Sequence, residues 1–251
     1  MFRNSNAKED AASLLVAAEK GHVTVIGELL KRNAKNPKFL EARNTFGNTA
    51  LMVAAFWGQE AVVKQLLEAK ADINTRNNKD ITPLMVAAVS GHVAILAELL
   101  NRKPELLEAH DSVGDTALIV AAFCGHKAVV EKLLEANAKV NVKDKEGKTA
   151  FTHAVESLVN HCLKKDATVE TKEDRVKSDK VSNYWQILKL LIKKGADTVT
   201  LSPLTEKVAS VTILNEAKQQ VSLAEAIQAE RDKYTELQTL ESTNQRTLKH
   251  G

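Results

Sequence analysis

The sequence predicts an all-α repeat protein in which pairs of antiparallel helices stack on one another. One apolar pattern recurs three times in the same frame, and the threonines that begin it are spaced 33, 34 and 33 residues apart. Within each period, two short helical patterns are separated by a glycine, as expected for one supersecondary unit per repeat. The recurring segments are residues 47–74, 80–108 and 114–141, and the threonines are Thr49, Thr82, Thr116 and Thr149.

The composition fits this class and excludes several others. Of the 251 residues, 44% are apolar and only 4% are aromatic, and ten Gly and four Pro in an Ala- and Leu-rich chain disfavour an all-β fold. The 35 basic and 32 acidic residues are spread along the chain, which excludes a strongly basic nucleic-acid-binding arm. Two cysteines, Cys124 and Cys162, cannot build a disulfide framework, so we expect a reducing, cytoplasmic compartment.

The sequence contains no segment that predicts membrane insertion. Charged residues are mixed into the first residues ahead of a short apolar run, so we expect no secretory signal. The longest apolar run, residues 117–124, is too short to cross a bilayer. We therefore expect no contact with a membrane.

The second repeat shows how one unit is built. Residues 50–55 form a short apolar helical pattern, Gly58 ends it, and residues 62–67 resume apolar residues at helical spacing. The following residues are rich in Asn, Asp and Gly, as a turn requires. Each repeat is thus predicted to contain two antiparallel helices and a turn.

The recurring motif T-[AP]-L-x-V-A-A-x-x-G-[HQ] resembles the ankyrin repeat, clearly over residues 11–141 and more weakly to residue 197. This resemblance implies an ankyrin-type α-solenoid of helix pairs with short β-hairpin fingers, about five repeats, and a role in binding other proteins. The chain departs from the family pattern at two positions, and we expect apolar packing to replace a polar network there. Alanine replaces the usual proline at Ala50, Ala117 and Ala150, and the usual histidine is replaced by Met52, Met85, Ile119 and Thr152.

The repeats and their interruptions predict five regions. Residues 1–43 form an N-terminal capping repeat with an insertion, and residues 44–143 form three well-matched repeats. Residues 144–198 form a fifth repeat, interrupted at residues 164–182 by a charged segment with few large apolar residues, which we expect to be a flexible loop. Residues 199–241 form a helical C-terminal cap, and residues 242–251 form a mobile tail.

The C-terminal cap is predicted to begin at residues 202–205, which resemble an early repeat start. A charged helix follows over about residues 222–240. Its apolar stripe, formed by Leu223, Ile227, Tyr234 and Leu237, is suited to docking against the last repeat.

The sequence gives no support for catalysis, a metal or a cofactor. His22, His92 and His126 recur after the same glycine, which is typical of a structural repeat position. A zinc site needs about four convergent ligands, whereas His153, His161 and Cys162 lie on one helix without a second ligand pair. No phosphate-binding glycine motif occurs. We predict a protein that is not an enzyme, with no small-molecule substrate, and we disfavour nucleic acid as a partner.

The residues that vary between repeats at the ends of the first helices and at the fingers are the candidates for recognition. The middle three repeats place apolar residues at the helix ends, which predicts a binding strip, although the same rings could instead pack against adjacent helices. Trp57 is favoured as exposed because a solenoid interior built on Ala leaves little room for indole. The candidates are Phe46, Phe56, Trp57, Val89, Ser90, Val113, Phe123 and Cys124.

A basic or potentially basic residue precedes each finger turn. These residues are Arg43, Arg76, His110 and Lys143. Stacking would bring them into a ladder that favours an acidic peptide, and the alternative is a solvated edge offset by nearby aspartates. The sequence thus predicts a non-catalytic adaptor that binds a partner protein with an acidic or apolar segment. The alternative is an ankyrin-containing effector of an intracellular bacterium, delivered into a host cell to act on a host protein.

Overall fold

The computed structural model describes residues 3–36, 38–163, 179–198, 212–214 and 220–248. The chain divides into two compact units. The first contains Met1–Ala121 and Ala128–Lys139, and the second contains Ala122–Lys127 and Val140–Gly251.

The first unit consists of helix pairs joined by extended fingers. First helices α1, α3 and α5 pack side by side in one row, and second helices α2, α4 and α6 pack in another. The helices are α1 (Arg3–Lys20), α2 (Val23–Arg32), α3 (Ala50–Phe56), α4 (Glu60–Glu68), α5 (Pro83–Ser90), α6 (Val93–Arg102), α7 (Ala117–Cys124) and α8 (Lys127–Glu135), with a 3-10 turn at Pro104–Glu108. Helix α7 ends and α8 begins in the short segment that belongs to the second unit. The predicted all-α repeat fold is confirmed.

Alanine pairs explain how the first helices approach one another. Ala54, Ala55, Ala87 and Ala88 are fully buried, and so small a side chain lets neighbouring backbones come close. The residues at the family's usual histidine position, Met52, Met85 and Ile119, are at most 2% exposed. Apolar packing therefore fills this position in these three repeats, as predicted. The prediction is wrong at Thr152 in the second unit, which is buried and whose hydroxyl accepts from the Thr149 N–H at 2.7 Å and donates to the Thr149 carbonyl at 2.9 Å.

The second helices are amphipathic. On α4, Val62, Val63 and Leu66 are buried, whereas Lys64 and Glu68 on the opposite face are exposed. This apolar stripe at helical spacing joins the helix to its own repeat and to the next one. Within the described residues, no helix combines the length and the apolar character that crossing a membrane would require.

The second unit contains α9 (Ala150–Leu163), α10 (Asp179–Lys193) and α11 (Leu223–Leu248). Helix α10 packs against both α9 and α11. Two short strands, β1 (Thr212–Leu214) and β2 (Gln220–Ser222), pair antiparallel with Ile213 opposite Val221. The core of this unit includes Phe151, Leu158 and Ile187, all fully buried.

Three details of the second unit differ from the sequence-based expectations. Helix α10 begins at Asp179, so the last four residues of the predicted loop 164–182 are helical, while residues 164–178 and 202–205 lie outside the described residues. The region predicted as a purely helical cap contains the β1–β2 pair. Helix α11 continues to Leu248, beyond the predicted start of the tail at residue 242.

The apolar stripe predicted on α11 is buried only at its N-terminal end. Leu223 and Ile227 are at most 4% exposed, whereas Leu237 is 50% exposed. The expectation that Leu237 docks with the rest of the stripe is therefore wrong.

Candidate binding surface

The fingers of the first unit are shaped by a repeated side-chain turn. Asn44 Oδ1 accepts hydrogen bonds from the backbone N–H of Phe46 and of Asn48, each at 3.0 Å. Asn77 and Asp111 make the same two bonds to the residues two and four positions ahead. This Asx turn projects the residue at the tip into solvent. The apolar tips Phe46 and Val113 are consequently 70% and 53% exposed.

The basic residues before these turns connect consecutive fingers. Arg43 Nη1 donates to the Gly47 carbonyl at 3.0 Å and to the Arg76 carbonyl. Arg76 Nη1 donates to the Asp80 carbonyl at 3.1 Å and to the His110 carbonyl at 2.7 Å. The two arginines thus have a structural role that sequence reasoning did not foresee. A guanidinium has five N–H donors, so donation through one nitrogen is compatible with binding an acidic ligand.

Phe56 and Trp57 at the end of α3 are exposed to solvent. They are 50% and 54% exposed, and their rings meet edge to face at 5.5 Å between centroids. The expected exposure of Trp57 is confirmed, and about half of each ring is covered. They line a cavity of about 560 Å³ together with Ala12, Leu15, Val16, Glu19, Asn44, Phe46, Asn48 and Val53. We call this cavity the aromatic groove.

The family model described as "Ankyrin repeats (3 copies)" matches residues 3–77, 70–144 and 104–170. These matches together span residues 3–170, about two thirds of the chain. The chain belongs to the ankyrin-repeat family. Ankyrin repeats generally mediate protein–protein interaction and are typically non-catalytic. The matches end before α10, and a total of five repeats stays a prediction.

The other candidate residues of this ankyrin chain differ in exposure. In the first unit, Val89 is 38% exposed, while the Ser90 hydroxyl oxygen is buried. In the second unit, Phe123 is 55% exposed, Lys143 is exposed, and Cys124 is half-buried. Burial raises the pKa of the Cys124 thiol. The aromatic side chains are therefore more available to a partner than the serine and cysteine beside them.

Sequence reasoning missed Val16, which is 56% exposed and lines the aromatic groove. Val16 occupies the position of Val53 in the second repeat and Val86 in the third. Val86 is buried, whereas Val16 on α1 is open to solvent. The repeat register therefore places Val16 on the same helix face but does not predict its exposure.

In two repeats, the residue after the repeat glycine contacts the C-terminal end of the first helix of the preceding repeat. Gln59 Nε2 donates to the Glu19 carbonyl at 3.0 Å, and His92 Nε2 contacts the Phe56 carbonyl at 3.1 Å. The interpretation of His92 as a structural repeat residue is confirmed. In the second unit, the Tyr184 hydroxyl on α10 makes the equivalent bond to the Phe123 carbonyl at 2.9 Å. The bonds to the Phe56 and Phe123 carbonyls fix the ends of helices that carry exposed candidate residues.

Replacing Gly58 by alanine is expected to destabilise the protein by about 2 to 3 kcal/mol. Gly58 has φ +73°, which strains any residue with a side chain. A Cβ there would also lie 2.6 Å from His92 Cε1, so the variant must in addition displace the imidazole. Gly147→Ala is the matched control, because φ is +79° and a Cβ at that position would meet no atom within 4 Å. We expect a cost of about 1 to 2 kcal/mol there. Equal losses in urea unfolding would contradict the proposed role of His92.

Asp144 forms the Asx turn of the second unit and also contacts His153. Its Oδ1 accepts from the backbone N–H of Glu146 and Lys148 at 2.8 Å each, and its Oδ2 lies 2.7 Å from His153 Nε2. Burial acts to raise the pKa of the Asp144 carboxyl, but the hydrogen bonds from His153 and from the two backbone N–H groups outweigh burial and hold this pKa below its ordinary value.

The lowered pKa of Asp144 predicts a loss of stability in acid. Because the folded pKa lies below the unfolded value of about 3.9, the stabilisation is complete above that pH and is lost as the pH falls through the folded pKa. We expect wild type to lose more unfolding free energy than Asp144→Asn between about pH 5 and pH 2.5. The asparagine keeps the Oδ1 acceptor of the turn. Urea unfolding across this range tests the prediction, and identical pH slopes would contradict it.

Proposed function

We propose that this ankyrin-repeat chain is a non-catalytic adaptor that binds a partner protein in the aromatic groove. The observation that carries the proposal is the joint exposure of Phe46, Phe56, Trp57 and Val16 around one cavity of about 560 Å³. Large aromatic side chains dominate interface energetics, since each Phe or Trp can bury about 150–250 Å². Leaving these side chains half exposed has no folding benefit, which supports a role in binding.

The surroundings of the groove support the same proposal. Glu19, Asn44 and Asn48 line the cavity beside the apolar residues. An apolar centre with a polar rim is the usual anatomy of a protein interface. The Phe56–Trp57 edge contact and the bond from His92 to the Phe56 carbonyl hold this helix end in place. A preorganised anchor loses less conformational entropy when a partner binds.

We further propose that the partner segment combines apolar and acidic residues. The exposed side chain of Arg43 lies on the finger that carries the apolar tip Phe46, and those of Arg76 and Lys79 lie on the next finger, between the tips Phe46 and Val113. Such a cation-rich edge steers an acidic segment toward the surface. The membership of His110 and, in the second unit, of Phe123, Cys124 and Lys143 in this surface stays a prediction.

The charge contribution predicts salt-dependent association. We expect the association rate with the partner to fall about tenfold or more between 20 and 500 mM salt, while the dissociation rate changes little. Stopped-flow or surface-plasmon measurements at constant pH test this expectation. An association rate independent of salt would show that the basic fingers do not steer the partner.

The experiment that tests the proposed function compares the proteins retained by wild type, Phe56→Ala and Val25→Ala. Val25 on α2 is 39% exposed but is not a lining residue of the aromatic groove, so its replacement is a matched control in the same unit. A partner retained by wild type and Val25→Ala but lost by Phe56→Ala supports the proposal. Retention of the same proteins by all three would contradict it.

The same experiment decides between the two settings that the sequence leaves open. An adaptor and an effector of an intracellular bacterium would use the same groove, and the origin of the retained partner, from the source cell or from a host cell, separates them. We propose a reducing, cytoplasmic setting, which agrees with the free thiols of Cys124 and Cys162. No cofactor or small-molecule substrate forms part of this proposal.

A further inference from the structure

A second cavity lies in the second unit, between α10 and α11, and plays no part in the proposed function. Its volume is about 380 Å³. One face of each helix contributes to it, with lining residues at helical spacing. These residues are Lys189, Leu190, Ile192, Lys193, Glu230, Lys233, Tyr234, Leu237 and Gln238.

The wall of this cavity offers an apolar surface with one hydroxyl group. Ile192 is buried at its base, and Leu237 remains 50% exposed. The Tyr234 hydroxyl accepts a hydrogen bond from Gln238 Nε2 at 3.0 Å. A hydroxyl that accepts a bond still carries its own O–H donor. A ligand with an apolar body and a hydrogen-bond acceptor would be complementary to these groups.

The charges around this cavity are predominantly positive. Three lysines line it, against the single carboxylate of Glu230, which lies 3.6 Å from Lys189 Nζ. Lys193 lies in the last turn of α10, where a helix end favours a cation. The aromatic groove of the first unit has one charged lining residue, Glu19, which forms an ion pair with Lys20 at 2.8 Å.

We propose that the α10–α11 cavity binds a small anionic amphiphile, a molecule with an apolar body and a carboxylate or sulfonate head. The cavity volume falls within the range of about 300–1,000 Å³ that is usual for small-molecule sites. The apolar body packs against Leu190, Tyr234 and Leu237, and the anionic head lies toward the lysines. This ligand differs in class from the partner protein proposed for the aromatic groove, so a failure of one proposal would not contradict the other.

Fluorescence titration of the full chain with two matched probes tests this inference. The probes are anilinonaphthalene sulfonate, which is anionic, and phenylnaphthylamine, which has a similar aromatic body without charge. We expect Lys193→Glu/Lys233→Glu to weaken sulfonate binding about tenfold or more and to change binding of the neutral probe less than about twofold. Dodecanoate should displace the sulfonate from wild type.

A charge reversal in the first unit and a milder variant of the cavity lysines test whether the effect is specific to the cavity. Lys64→Glu/Lys70→Glu reverses two exposed lysines of the first unit and should leave both affinities unchanged. Circular dichroism checks folding, and Lys193→Gln/Lys233→Gln provides a milder variant that should weaken sulfonate binding by an intermediate amount. Unchanged sulfonate affinity in both α10–α11 variants, or an equal loss in the first-unit control, would overturn the proposal.

Discussion

Replacing Trp57 by alanine is expected to weaken partner binding by about 2 kcal/mol or more, which is about 30-fold in the dissociation constant. Trp57 is 54% exposed at the end of α3, and it lines the aromatic groove beside Phe56. A partner that fills this groove buries the indole, and truncation removes most of that contact area. Titration calorimetry with the purified partner measures the effect.

The same substitution should have little effect on folding. The substitution removes the edge-to-face pair with Phe56, worth about 0.5 to 1.5 kcal/mol. Val25→Ala serves as the binding control in the same unit, with an expected change below about 0.5 kcal/mol. An unchanged dissociation constant for Trp57→Ala, in a protein with wild-type thermal stability, would contradict binding in the groove.

Replacing Phe151 by alanine is expected to destabilise the protein by about 3 to 5 kcal/mol. Phe151 is fully buried in the second unit, so truncation removes apolar contacts and leaves a cavity in a closely packed interior. Urea unfolding monitored by circular dichroism gives the change in unfolding free energy. The midpoint should fall, and a protein of ordinary stability would lose a large part of its unfolding free energy.

Phe123→Ala is the matched control for Phe151, because both residues are phenylalanines of the second unit. Phe123 is 55% exposed, and its ring meets His153 edge to face at 5.9 Å between centroids. We expect a loss of no more than about 1.5 kcal/mol. Equal losses at the two positions would show that the burial of Phe151 is wrong.

The repeat architecture could be predicted because each repeat has the same apolar spacing. Thr49, Thr82 and Thr116 mark the start of the first helices, and α3 and α4 occur where the apolar pattern predicts them. The exposure of Trp57 could be predicted from the size of its indole, because an interior of fully buried alanines such as Ala54 leaves little room for it. Local pattern and steric bulk were sufficient for these conclusions.

Features that depend on tertiary contacts could not be predicted from the same patterns. Arg43 and Arg76 donate to carbonyls of the next finger, which is an arrangement that exists only after stacking. Tyr184 takes the role of a repeat histidine although it lies 59 positions after Gly125 in the sequence. The β1–β2 strands are three residues each, too short for a clear alternating pattern.

The central claim, that the partner occupies the aromatic groove, is tested most directly by the fluorescence of Trp57 itself. The chain contains two tryptophans, so Trp185→Phe leaves Trp57 as the sole reporter without altering the groove. On saturation with the partner, we expect the Trp57 emission to shift to shorter wavelength and its acrylamide quenching to fall severalfold, because the indole loses contact with water. Unchanged emission and quenching at saturation would contradict binding in the groove.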